Sequence, residues 1–106
     1  MILSTSASIA GHRIVKTVGL VRGNTVRSRH MGRDIMAGFK TMVGGEIVSY
    51  TQMMDDARSE AVDRLAADAQ KRGANAVTDI RFTTSAIMSG ASEILSYGTA
   101  VVVEPE

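Results

Sequence analysis

The sequence contains no cysteine, no tryptophan and a single proline among its 106 residues. Without cysteine the chain cannot form disulfides, thiolate metal sites or a cysteine nucleophile. Only two Phe and two Tyr are present, so the chain lacks a series of aromatic side chains on which successive bases could stack. This shortage disfavours nucleic acid as a partner. The core has to be built from aliphatic residues, methionine and alanine.

Long apolar runs are also missing. No stretch approaches the ~20 apolar residues that a membrane-spanning helix needs. The first residues, MILSTSASIAGHR, have neither the leading positive charge nor the apolar run of a signal peptide. We therefore expect a cytoplasmic protein without a membrane partner. We also expect one domain over residues 1–106, which buries about 65% of its unfolded surface.

Spacings typical of metal sites and of catalytic nucleophiles are absent too. The sequence holds two histidines, His12 and His30, and no H-x-x-x-H, C-x-x-C or D-x-D-x-D pattern, so it indicates no site for zinc, calcium or iron. No G-x-S-x-G motif occurs. Methionines at helical spacing are typical of core packing rather than of copper ligation. The sequence thus identifies no catalytic residue, no metal ligand and no cofactor.

The charges are unevenly divided, although the net charge is only +1. Residues 1–45 contain seven basic residues and one acidic residue, whereas residues 46–106 contain five basic and ten acidic residues. The first part therefore carries +6 and the second −5. A basic face beside an acidic helix within one subunit explains this division, and attraction between subunits is the alternative.

Residues 49–77 have the pattern of a long helix that leads directly into a strand. Ser49 and Gln52 have the spacing of a capping box, which predicts a helix that begins near Tyr50. Small apolar side chains recur every three or four residues and predict a buried stripe suited to close packing on a sheet. The stripe consists of Met54, Ala57, Ala61, Leu65, Ala66 and Ala69. Gly73 supplies the residue that ends the helix.

The part of the chain before this helix predicts one strand and one short helix. Residues 13–22 are rich in β-branched side chains and predict a strand that ends at a turn signal, Gly23-Asn24. Residues 25–30 then form a polar, basic loop. An apolar stripe over residues 31–43 predicts a short helix, and the pair Gly44-Gly45 ends it.

The part after the long helix predicts two strands. Residues 76–83 alternate between apolar and polar side chains, and the turn MSGAS leads into a last strand, EILSYGTAVVV, that is apolar on both faces. A helix of ~23 residues spans ~35 Å and covers only one face of such a sheet. The opposite face needs a cover that this chain does not supply. A symmetric homo-oligomer is the commonest cover, so we expect an assembly rather than a monomer.

A basic cluster in the first half of the chain is a candidate binding surface. Repeated around a symmetry axis, several copies would focus a positive potential, whereas a single copy is a basic loop. Arg33 and the adjacent Asp34 are suited to bidentate binding of a carboxylate or phosphate through the arginine, or to a helix cap with an ion pair between elements. The cluster consists of Arg22, Arg27, Arg29, His30 and Arg33.

Five segments follow one another in a distinctive order: GHRIVKTVGLVRG, RDIMAG, MVGGEIVSYT, DDARSEAVDRLAADAQKRGANAV and SYGTAVVV. They cover nearly the whole chain, and their order resembles the YbjQ-like family of small, uncharacterised bacterial proteins that carry a heavy-metal-binding label. The resemblance implies an α+β, dodecin-like β-α-β-β subunit with a long and a short helix packed on an antiparallel sheet. It also implies assembly into a ring, as a pentamer or a decamer.

The resemblance also marks individual positions. The glycines among them have backbone explanations, which leaves Arg33, Asp34, Tyr50 and Arg58 as ligand-binding candidates. The metal label finds no support in the residues, because the chain lacks cysteine and its two histidines are far apart in sequence. The marked positions are Arg33, Asp34, Gly44, Gly45, Tyr50, Arg58, Gly73, Ala74, Gly98 and Thr99.

These observations predict a homo-oligomer that binds a small anionic ligand in clefts between subunits or in an axial pore, or that has a structural role. A heavy-metal-binding protein is the first alternative, because of the family label. An enzyme whose site is assembled at a subunit interface is the second, because residues distant in sequence can meet there.

Overall fold

A computed structural model describes the backbone of residues 1–28 and 45–106, and the side chains of residues 1–28 and 50–106. Within these residues, one long helix packs on a four-stranded sheet, so the predicted α+β class is confirmed. The predicted short helix over residues 31–43 lies outside the described residues. The elements in chain order are β1 (Ile2–Leu3), β2 (His12–Ser28), α1 (Gly45–Lys71), β3 (Ala76–Met88) and β4 (Ala91–Pro105).

The strand order across the sheet is β1-β3-β4-β2. Strand β4 pairs antiparallel with both of its neighbours, whereas β1 pairs with the start of β3 in parallel. The sheet is therefore mixed, and the prediction of a purely antiparallel sheet was incomplete. The reason is that the edge of β3 offers main-chain groups to the first residues of the chain: Ser4 N donates to Val77 O over 2.9 Å.

Helix α1 is longer at its start than the sequence predicted. It begins at Gly45, so Ser49 lies inside the helix and the capping-box prediction was wrong. The side chain of Gln52 bonds a residue one turn later in the helix: its Nε2 donates to Asp56 Oδ1 over 2.9 Å. Helix α1 is too polar along its length to cross a lipid bilayer, and the described part of the chain has no other candidate.

The C-terminal end of α1 confirms the prediction for Gly73. This residue has a φ of +86°, which glycine adopts without steric cost. Gly73 N donates to Gln70 O and Ala74 N donates to Ala69 O, each over 3.0 Å. The two bonds form a Schellman motif, which satisfies carbonyl groups that the end of a helix leaves unpaired.

Strand β2 continues beyond its predicted end, through Gly23 and Asn24 to Ser28. The predicted turn and the predicted loop were therefore wrong over residues 23–28. Gly23 is buried beneath α1, and a Cβ added there would collide with main-chain atoms of Ala61 and Leu65. Glycine stands at this position because the helix comes too close for a side chain, and the chain does not turn there.

The predicted alanine-rich stripe of α1 faces the sheet. One core cluster joins Leu65 to Val21 and Val77, and a second joins Met54 to Ile94. Because most side chains of the stripe are alanine, the helix axis lies close to the sheet. The fully or nearly fully buried members of the stripe are Met54, Ala57, Ala61, Leu65 and Ala69.

Two buried hydroxyl groups of the sheet bond the main chain of α1. Thr25 Oγ1 donates to Ala57 O over 3.0 Å. Ser96 Oγ lies 2.8 Å from Ala61 O and 3.1 Å from Gly23 O, and shares its one proton between them. The helix carbonyls accept these bonds through a second lone pair, so the close contact leaves no buried hydroxyl unpaired.

Strands β3 and β4 form a hairpin at the predicted turn. A bulge at Asp79, which has a φ of +55°, interrupts the predicted alternation in β3. As a result Val77 and Ile80 both join the core under α1. Phe82, one of the apolar residues of this alternating segment, is 45% exposed, because α1 packs mainly on β2 and β4 and reaches only the start of β3.

The sheet face opposite α1 is covered at one end by the N-terminal segment. Ile2 and Ile9 pack against Ala76, Val101 and Val103. The expectation that the chain supplies no cover for this face was therefore wrong at this end, since the segment before β2 folds back over it.

We expect Gly23→Ala to lower the free energy of unfolding by about 2–3 kcal/mol, because the new methyl group would overpack the contact between helix and sheet. The colliding atoms belong to the main chain, so no side chain can move aside. Denaturant unfolding followed by circular dichroism measures the change. Asn24→Ala, on the other face of the same strand, is the control and should cost less than about 1 kcal/mol. Equal losses in the two variants would contradict the close approach.

Candidate functional site

The structure places two of the four predicted ligand-binding residues, Tyr50 and Arg58, on α1. Tyr50 is half-buried and packs against the cluster that contains Met54 and Ile94. Arg58 is exposed two turns later, which corresponds to ~12 Å along the helix axis, so α1 by itself does not bring the two side chains together. Arg33 and Asp34 lie outside the described residues, so a site formed by these four residues stays a prediction.

Arg58 forms an ion pair on the outer side of α1. Its Nη1 donates to Asp55 Oδ1 over 2.9 Å, and the two side chains are 49% and 60% exposed. Exposed pairs of this kind contribute only ~0–1 kcal/mol. The pair therefore adds little to the stability of α1.

A network of charged side chains joins the end of β2 to α1. Glu60 forms ion pairs with Arg27 of β2 and with Arg64 one turn further along the helix. The hydrogen bond from Arg27 lowers the pKa of the Glu60 carboxyl; burial opposes this, and the positive charges of Arg27 and Arg64 add to the lowering. Both arginines are engaged by this carboxylate, so the network fastens the strand to the helix within one subunit.

Side chains of α1 also occupy the outer edge of β2. Arg64 Nη1 donates to Asn24 O over 2.5 Å, and Arg22 N donates to Asp68 Oδ2 over 3.4 Å. Asp68 in turn accepts a hydrogen bond from Arg72 Nε over 3.1 Å. Two of the main-chain groups that an edge strand normally leaves free, Arg22 N and Asn24 O, are therefore satisfied.

The sheet face opposite α1 is not covered near the β3–β4 hairpin by any of the described residues, and this surface is named the open face. Leu20 is 64% exposed and Val26 is 44% exposed, while Leu95 and Tyr97 are half-buried. Exposed apolar side chains next to charged ones are typical of a surface that contacts another molecule. The open face consists of Leu20, Arg22, Asn24 and Val26 of β2, Arg81 and Thr83 of β3, and Glu93, Leu95, Tyr97 and Thr99 of β4.

The N-terminal segment closes over the bulge in β3 and holds one margin of the open face. Asp79 N donates to Ser6 O over 3.0 Å, and Arg81 Nη1 donates to Thr5 O over 2.8 Å. Bonds from this segment to the bulged residue and to Arg81, two residues later, help to hold Asp79 in a conformation that L-residues rarely adopt. The same bonds keep the Arg81 guanidinium at the margin of the open face.

Sequence reasoning named Arg22 and Arg27 as members of the basic cluster, but it missed Thr25, Ser96 and Arg81. The hydroxyls of Thr25 and Ser96 have a weak signal, because both stand at inward positions of strands whose neighbours are apolar. The register that brings Arg22, Tyr97 and Arg81 side by side has no signal in a single sequence, because it depends on how three strands pair.

A family model described as "YbjQ_1: Putative heavy-metal-binding" matches residues 1–104 of the chain. A UPF0145 protein of Dehalococcoides mccartyi is 56% identical to it over 104 residues, which cover 98% of this chain and 100% of the relative. A UPF0145 protein of Photobacterium profundum is 60% identical over 101 residues, which cover 95% of this chain and 98% of the relative. The family resemblance seen in the sequence is therefore confirmed.

A crystal structure of a protein of unknown function from Pediococcus pentosaceus, which belongs to the DUF74 family, has a similar fold. The TM-score is 0.59 with 15% sequence identity, and the match covers 98% of each chain. At this identity the similarity concerns the fold alone.

The described residues do not fit a heavy-metal site. Among the side chains of residues 1–28 and 50–106, no three histidine, aspartate or glutamate residues group as a metal site requires. His12 Nδ1 donates to Ala10 O over 3.0 Å, and the thioethers of Met53 and Met54 pack in the core beside Ile94.

Glu60→Gln should lower the unfolding midpoint most at neutral pH, since the variant loses the ion pairs with Arg27 and Arg64. Because the folded pKa of Glu60 lies below its ordinary value of 4.5, its contribution is present above pH 4.5 and disappears as the pH falls through the folded pKa. Unfolding of both proteins measured between neutral and acidic pH tests this. Asp63→Asn, another carboxylate on α1, is the control. A midpoint difference between native chain and Glu60→Gln that does not shrink in acid would contradict the prediction.

Proposed function

The chain belongs to the YbjQ family, and from this membership and the open face we propose that it acts as a non-enzymatic homo-oligomer that binds a small anionic ligand between its subunits. The observation that carries the proposal is the open face, where apolar and positively charged side chains stand together without a cover from the described residues. The family resemblance implies a ring of five subunits, or a decamer made of two such rings.

The apolar part of the open face supports contact with a second copy. Leu20 and Val26 are exposed to 64% and 44%, on a strand of 17 residues. Burying such side chains releases about 25 cal/mol for each Å² removed from water. A homo-oligomer supplies the cover at every copy at once, because each subunit carries the same surface.

The charged part of the open face supports an anion between the subunits. Arg22 lies on the same face as Leu20, so covering one brings the other out of water. An uncompensated guanidinium in such a contact is costly, so it needs a carboxylate or phosphate close by. The positive charge of residues 1–45, +6 in total, favours an anionic ligand as well.

The residues that the family resemblance marks belong to the same proposal. Arg33 and Asp34 are proposed to contact the ligand at the cleft or the axial pore, with Tyr50 and Arg58 nearby in the assembled ring. Arg58 supports this with its weak, exposed ion pair to Asp55. Bidentate binding through a planar guanidinium is the chemistry that both arginines would supply.

Heavy-metal binding is the second candidate function, and the description of the matching family model is what favours it. The donor set of the described residues does not support it. Soft metals prefer thiolate ligands, and the sequence contains no cysteine.

Light scattering of the native chain at micromolar concentration should give a mass several times 11.3 kDa, and about five times this value if the ring is a single pentamer. Leu20→Lys places a charge in the proposed contact and should shift the mass towards that of one chain. Gln70→Lys, an exposed position on α1, is the matched control and should leave the mass unchanged. A stable monomer of the native chain would exclude the assembly.

Calorimetry with copper, zinc and cadmium should show no binding tighter than that of an unrelated protein with few histidines. Elemental analysis of the purified chain should show no metal in stoichiometric amount. Both expectations rest on the missing donor set. Stoichiometric uptake of one of these metals, reversed by a chelator, would support the second candidate function against the first.

A further inference from the structure

We propose that Arg22, Tyr97 and Arg81 form a binding site on the open face for a planar ligand that carries a phosphate group, of the mononucleotide class. This inference rests on the proposed function, because it names the site and the chemical class of the anion. None of the three residues belongs to the set that the family resemblance marks.

The strand register places the three side chains in one row. Tyr97 of the central strand β4 stands opposite Arg22 of β2 and opposite Arg81 of β3. Directly opposite residues of antiparallel strands point to the same face, with Cβ atoms about 5 Å apart. The neighbour Ser96 bonds the main chain of α1 through Ala61 O, so the next residue, Tyr97, points away from the helix.

The two arginines of this row have no carboxylate partner among the described residues. The guanidinium of Arg22 has no hydrogen bond there; only its main-chain N is bonded, to Asp68. Arg81 uses Nη1 for two main-chain carbonyls, Thr5 O and Ile80 O, over 2.8 and 2.9 Å. The row thus presents two positive charges and no negative one.

The acidic residue of the open face does not neutralise the row. Glu93 lies further towards the hairpin, opposite Val26 on β2. Its Oε2 accepts a hydrogen bond from Asn24 Nδ2 over 3.3 Å. The ion pairs formed by the described residues leave both Arg22 and Arg81 out. An anion from outside the described part of the chain is therefore the partner that the charges favour.

Two features of the row point to phosphate and to a planar group together. A guanidinium matches the oxygens of a phosphate through two parallel N–H bonds, and the Nε and Nη2 groups of Arg81 point to no described acceptor. A tyrosine ring offers a face on which a base can stack. One ring serves one base, and the open face holds no other aromatic side chain. A single nucleotide therefore fits better than a nucleic acid strand.

The contacts of Arg81 prepare the site for binding. Bonds to Thr5 O and Ile80 O fix one nitrogen of its guanidinium before a ligand arrives. A charged group that is already held loses less conformational entropy when it binds a ligand. Arg22 has no such anchor, which makes it the residue whose removal disturbs the fold least.

Calorimetry of the full chain with AMP, inorganic phosphate and adenosine tests the proposal. AMP should bind most tightly, phosphate more weakly and adenosine most weakly, because only AMP uses both the ring and the charges. Arg22→Gln should weaken AMP binding at least tenfold. Lys16→Gln removes the same charge from the same strand outside the row, and should change the affinity less than twofold.

Tyrosine fluorescence gives a second readout that a general loss of charge would not move. The chain has two tyrosines and no tryptophan, so the variant Tyr97→Phe emits from Tyr50 alone. AMP should change the tyrosine emission of the native chain more than that of Tyr97→Phe, and inorganic phosphate should change the native emission less than AMP does. Tyr97→Leu should weaken AMP binding and leave phosphate binding within about twofold of the native value, because it removes only the ring.

The possible results separate this site from the assembly. Absence of AMP binding by the native chain, or equal losses in Arg22→Gln and Lys16→Gln, would overturn the site. Tighter binding of a short single-stranded RNA than of AMP would also overturn it in favour of a nucleic acid. Light scattering on the same samples reports the assembly independently: a monomer that binds AMP would overturn the assembly alone, and an oligomer that does not bind AMP would overturn the site alone.

Discussion

The close approach of α1 to the sheet is the constraint on which the rest of the structure depends. Gly23 gives the helix main chain room that no other residue would leave, and the hydroxyls of Thr25 and Ser96 bond helix carbonyls across this gap. A helix held in this way has little freedom to slide or tilt, because both bonds have short and directional geometry. Its position over β2 and β4 then determines which part of the sheet is left without a cover.

The position of α1 on the sheet also determines which charged side chains form ion pairs. The side of α1 next to β2 carries Glu60 and Asp68. Glu60 forms an ion pair with Arg27, and Asp68 accepts a hydrogen bond from the main-chain N of Arg22. Much of the basic character of β2 is therefore matched inside one subunit, as the simpler explanation of the uneven charge distribution requires. The guanidinium of Arg22 has no ion-pair partner among the described residues, because its side chain points to the sheet face opposite α1. The polarity of the open face thus follows from where the helix lies.

The sequence predicted those features that depend on local patterns. The end of α1 at Gly73, the alanine-rich stripe and the β3–β4 turn each involve residues close in sequence, and all are found. Features that depend on distant contacts were not predictable. Gly23 has the signature of a turn until the helix above it is known, and the capping-box spacing of Ser49 also occurs inside a helix. For the site, single residues such as Tyr50 and Arg58 were named, but the row across three strands needs the register.

The outer edge of β2 has a consequence for how the sheet can grow. An edge strand is a template for another strand, and uncontrolled pairing at such edges leads to fibres. On β2, side chains of α1 form hydrogen bonds with Arg22 N and Asn24 O, and two bulges, at Val15 and Val18, distort the half that begins at His12. A further chain cannot extend the sheet evenly on this side. This side of the sheet is therefore protected against the strand addition that would build a continuous filament.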